Sequence, residues 1–187
     1  MERDQGITAA HQQTALVGSD TSCGRLVMDQ YEQAVLDYLC GRPDRFVNAQ
    51  FTIPYDGYRG GSCPDFLVLD FSDTTAYVVE VSATADSNRL IGRVRERETR
   101  WFGPLKDHLR KLSPGFAGWD LHVSLFVRDE EAARARRAVE AFPDVSVISL
   151  AKVLFSWNWD WQHGTGLPTN ALRDPEKRER VQPSNTH

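Results

Sequence analysis

The stretch CPDFLVLDFSDTTAYVVEVSATAD, residues 63–86, decides the fold. Two apolar runs, DFLVLDF and AYVVEVS, flank the polar turn SDTT, so the spacing predicts two antiparallel strands. Both runs are almost continuously apolar, which predicts strands covered on both faces. Each also carries an acid in an unexpected place. Asp65 opens the first strand behind Pro64, and Glu80 lies among valines in the second. An isolated buried carboxylate costs several kcal/mol unless it is paired or bound to a cation. On paired strands the two side chains can converge on one face. Ser82 projects to the same side as Glu80, because side chains repeat every second residue along a strand.

Upstream, GRLVMDQYEQAVLDYLCG (24–41) sets Val27, Tyr31, Ala34, Val35 and Tyr38 at helical spacing, with Ser22 as the expected N-cap and Gly41 as the stop. RFVNAQFTIPY (45–55) reads as one strand ending at Pro54, and YDGYRGGSC (55–63) as a turn with three glycines. Downstream, residues 88–112 form a basic helix with Leu90, Ile91, Val94, Trp101, Leu105 and Leu109 on its inner stripe. Gly103-Pro104 is expected to break or kink it, since proline removes a helical hydrogen bond. Glu98 falls on that stripe, where a snorkelling salt-bridge partner is expected. DLHVSLFV (120–127), DEEAARARRAVEAF (129–142) and VSVISL (145–150) then read as strand, helix and strand. The order α-β-β-β-α-β followed by α-β predicts an α/β domain with a mixed central sheet flanked by helices. Its expected limits are residues 22–156. Residues 1–21 read as a flexible lead-in. Residues 157–187 read as a tryptophan-rich segment (Trp157, Trp159, Trp161), expected to pack, and a charged tail expected to be disordered.

The chain has 187 residues, 41% hydrophobic and 26% charged, which suits one soluble globular domain. No apolar run approaches the ~18–20 residues of a membrane span. The N-terminus lacks the apolar core of a secretory signal, and no membrane partner is expected. Three cysteines, Cys23, Cys40 and Cys63, are odd in number and widely spaced. Neither a zinc finger nor a disulfide is expected from them, which favours a reducing, cytoplasmic setting. The five histidines form no metal-binding cluster. The net charge of −4 argues against non-specific coating of nucleic acid, yet residues 88–112 hold eight Lys or Arg against three acids. Such a segment can follow a phosphate backbone, or it is a solvated helix face.

Pro64-Asp65, Glu80-Val81-Ser82 and the element order over 22–128 together resemble the PD-(D/E)XK nuclease superfamily, with its restriction-endonuclease-like αβββαβ core. The resemblance implies Asp65 and Glu80 as ligands of Mg²⁺ or Mn²⁺, with Glu32 from the first helix completing the site. It implies a nuclease hydrolysing phosphodiester bonds in nucleic acid, DNA first. The superfamily pattern has lysine where this chain has Ser82. A hydroxyl can hydrogen-bond a water but brings no positive charge, so catalysis needs a cation from elsewhere. Arg93 or Arg97 of the basic helix would supply it, and Arg89, Arg93, Arg97 and Arg100 would contact nucleic acid. The alternative is a catalytically impaired module that keeps the fold and binds nucleic acid or a protein partner without cleavage. A homodimer stays open.

Overall fold

The computed structural model describes residues 28–55, 60–154 and 172. Strands β4 (Phe66–Asp70) and β5 (Thr75–Ser82) form the expected antiparallel pair, with Phe66 opposite Val79 and Asp70 opposite Thr75. β1 (Arg45–Ala49) pairs antiparallel with the outer side of β4. β6 (Asp120–Val127) and β7 (Val145–Ser149) add to β5 in parallel, giving a mixed sheet of five strands in the order β1-β4-β5-β6-β7. Parallel neighbours need crossovers. The first crossover carries α2 (Asn88–Arg95), a π turn (Glu98–Phe102) and α3 (Gly103–Leu112); the second carries α4 (Asp129–Ala138).

Alternation along the strands divides the core into two layers. Leu67, Ala76, Val78, Val123, Leu125 and Val147 meet α2, α3 and α4 on one face. Phe66, Val68, Tyr77, Val79, Phe126 and Ile148 meet α1 (Gln30–Cys40) and α5 (Leu150–Leu154) on the other. The molecule is an α/β structure with helices on both faces of a mixed sheet, as the apolar runs imply. Leu172 is buried in the second layer, and the Ser124 hydroxyl donates to its carbonyl at 2.7 Å, so the core extends past residue 156.

Three local expectations give way. The helix begins at Gln30, not behind Ser22, because Asp29 caps it: the Asp29 carboxylate accepts from the Tyr31 and Glu32 amides. Ser22 itself, like Trp157, Trp159 and Trp161, lies outside the described residues. The single strand expected over 45–54 is broken at Gln50, whose φ of 51° turns the chain out of the sheet while its amide donates to the Asp65 carbonyl. Ile53–Pro54 (β2) and Gly61–Ser62 (β3) then form a separate two-stranded ribbon. A Cβ at Gly61 would lie 2.3 Å from the Ile53 carbonyl oxygen, so only glycine fits there. Cys63 is disulfide-bonded, contrary to the reading from spacing. Pairing depends on how the fold brings cysteines together, and the cysteines therefore give no support for a reducing compartment. Cys40 is a free, exposed thiol. Among the described residues no helix is long and apolar enough to cross a membrane.

The interruption expected at Pro104 is present. The expected break in the basic helix takes the form of a π turn, in which the Gly103 amide reaches back to the Glu98 carbonyl. Proline has no N–H for the carbonyl four residues earlier, that of Arg100. The Tyr55 hydroxyl donates to that carbonyl instead, at 3.2 Å. Next to it, the buried Trp101 indole donates to Ser62 Oγ at 2.9 Å. Glu98 is exposed, off the buried stripe, at the start of the widened turn.

Candidate functional site

One step beyond the Phe66–Val79 pair, the β4–β5 register sets Asp65 opposite Glu80. Directly opposed residues share a face and stand closest together. Their face is the one under α2. Asp65 precedes the first ladder pair, and its side chain extends the ladder: Oδ2 accepts from the Val81 amide at 2.6 Å. Glu80 is 3% exposed. From α2, the Arg93 Nη1 donates to Glu80 Oε2 at 2.6 Å. The start of α2 is fixed to α4, where the buried Ser87 hydroxyl donates to Glu131 and Arg134 bridges Glu131 and Asp86.

Burial pushes the Asp65 carboxyl up to about 6, and the charges of Glu32 and Asp29 add to this, against the Val81 hydrogen bond and Arg93. Burial, then the charge of Asp65, pushes Glu80 up to about 7, although Arg93 and Arg100 favour its ionised form. The two acids therefore share less than two full negative charges near neutral pH. The pair can hold a proton or attract a hard cation.

The other residues expected here separate into three groups. Glu32 does not join the pair as a third ligand. Its carboxylate turns back to accept from the Asp29 amide at 3.2 Å, closing a capping box, and acts on Asp65 through its charge. Among the described residues no group of three or more His, Cys, Asp or Glu gathers as a metal site. Ser82 is half-buried on the Glu80 side of β5 and shares a hydrogen bond with the Thr84 hydroxyl at 3.0 Å. Arg97 turns away from the acids: its Nη2 donates to Asp144 Oδ1 at 2.9 Å, and its guanidinium lies 4.3 Å from the Phe142 ring centre. Arg89 is exposed on α2, and Arg100 is half-buried in the π turn.

Three contributors escaped the sequence reading. Asp29 had a readable signal, since D-x-x-E ahead of an apolar stripe is the spacing of a capping box. Tyr55 and Ser62 had none locally, because their partners lie 45 and 39 residues away. Beside the π turn, a groove of about 530 Å³ is lined by Pro54, Tyr55, Glu98, Pro104, His108 and Lys111 among others. No protein-family model, curated protein or solved structure matches the chain.

Proposed function

We propose that the chain is a metal-dependent nuclease-like protein that hydrolyses phosphodiester bonds in nucleic acid, with DNA as the first substrate and Mg²⁺ or Mn²⁺ as cofactor. The observation that carries this reading is the cross-strand pair of half-buried Asp65 and buried Glu80, with Arg93 bonded to Glu80. The meander β1-β4-β5 followed by parallel β6 is the arrangement expected of a PD-(D/E)XK core, and it supports the same reading. A hard divalent cation fits the donor set. Mg²⁺ takes oxygen ligands, commonly one or two carboxylates with waters completing the shell. Its charge would offset the burial that raises both acids and, for Glu80, the charge of Asp65.

In this mechanism Asp65 and Glu80 would hold the cation, and a bound divalent cation would supply a more acidic water and polarisation of the phosphodiester. Arg93 fixes the Glu80 carboxylate in one orientation and supplies positive charge next to it. The hydroxyl of Ser82 is on the same side of β5 and can orient a water. Arg89, exposed on the same helix, is free to follow a phosphate backbone.

A specific observation favours the second reading, a module that binds without cleaving. Ser82 carries no charge, and Arg93, the nearest replacement for the absent lysine, is already engaged by Glu80. Removing one well-placed electrostatic donor costs about 10²–10³ in rate. The deciding experiment titrates Mg²⁺ and Mn²⁺ against single- and double-stranded DNA and RNA. Under the first reading cleavage requires metal, Asp65→Ala abolishes it, and Ser82→Lys preserves or raises it. Binding with no cleavage in any divalent metal selects the second.

A further inference from the structure

Among the described residues, three arginines that reach into the interior come with their carboxylates. Arg45 has Asp70, Arg93 has Glu80 and Arg97 has Asp144. Arg100 breaks the pattern. Its Nε is buried without a hydrogen-bond partner, and its guanidinium has no ion-pair partner among the described residues. Buried polar atoms in native proteins are nearly always satisfied, so one that is not calls for an explanation. The position is also unusually well held. The Tyr55 hydroxyl takes the Arg100 carbonyl that Pro104 leaves open, and the next residue, Trp101, is tied to Ser62. A ribbon and a π turn, a helical irregularity frequent at functional sites, thus fix the backbone from which Arg100 extends. Arg100 lies on the crossover whose first helix carries Arg93 to Glu80, and its charge favours the ionised form of Glu80.

We propose that Arg100 is the receptor for a phosphate group of a nucleic-acid strand lying across the Asp65–Glu80 pair. A guanidinium presents planar, paired N–H donors that match two oxygens of one phosphate. Arg93 and Arg97 are already bonded to carboxylates, and Arg89 is exposed without the same fixing. The inference rests on the nuclease-like reading for the identity of the anion, but the binding it describes requires no cleavage.

The test is strand binding by the full chain, measured by fluorescence anisotropy with labelled single-stranded and duplex DNA, in EDTA and again in Ca²⁺. The variants are Arg100→Gln, Arg100→Lys and, as a surface control on α4, Arg137→Gln. Arg100→Gln is expected to weaken binding by about tenfold or more and to lower the salt-dependence slope by about one phosphate contact. Arg100→Lys falls between, and Arg137→Gln leaves affinity unchanged. Equal affinity for Arg100→Gln and the native chain overturns the proposal, as does absence of binding in both conditions. Should Arg100→Gln fail to fold, judged by thermal unfolding, Arg100→Lys decides by the same criterion. Inorganic phosphate competing as strongly as the strand, at equal phosphate concentration, overturns the assignment to nucleic acid in favour of a free anion. Arg100-dependent binding without cleavage in any metal supports this inference while removing the catalytic reading.

Discussion

Asp65 and Glu80 make the site responsive to pH in a direction that follows from their raised pKa values. Each native carboxyl keeps its proton at a pH where the unfolded chain has released it. Stability from these groups is therefore full below about pH 4 and falls as pH rises through about 6 and 7. Each group contributes roughly 3 kcal/mol to that fall. The metal-free protein should thus melt higher at pH 5 than at pH 8, and Asp65→Asn should flatten that slope. Mg²⁺ should raise the melting temperature more at pH 8 than at pH 5.5, because binding must displace the shared proton. A melting temperature that rises with pH in the absence of metal would refute this account. The acids were legible in the sequence because strand alternation fixes a side chain's face. The choice among arginines was not. Arg97 is held by Asp144, 47 residues away, a pairing that helical spacing cannot reveal.

Among the elements, the strands and amphipathic helices were readable because burial imposes their periods, 2 and 3.6. Exceptions occur where one residue overrides the pattern. Gln50 leaves the strand at positive φ to let its amide bond the Asp65 carbonyl, which anchors the strand entry that carries the acid. Pro104 was readable as a break, but not as a π turn, since the form depends on the hydroxyl of Tyr55 arriving from another element. The Trp101–Ser62 bond gives a direct test of how firmly ribbon and turn are joined. Ser62→Ala leaves a buried indole N–H unpaired and should cost about 1–3 kcal/mol in urea unfolding. It should also weaken strand binding if the ribbon positions Arg100. Unchanged stability would mean that the indole finds water or another acceptor.

Over the whole molecule, the charge is divided rather than uniform: a basic crossover helix on an otherwise acidic chain. The same division separates the two halves of the site in chain distance. Asp65 and Glu80 belong to one hairpin and meet through a turn of a few residues. Their counter-charge, Arg93, arrives with the crossover that also positions parallel β6. Local contacts close early in folding, whereas non-local parallel pairing comes late because loop-closure entropy is lost first. The growing structure therefore brings its two acids together before any arginine can answer them. On this order of events the repulsion is expected in the folding transition state as well as in the native protein. Protonating the pair should speed folding, so stopped-flow refolding should be faster at pH 5 than at pH 8, and Glu80→Gln should remove most of the difference. A refolding rate independent of pH, with the unfolding rate changing instead, would place the meeting of the two acids after the barrier.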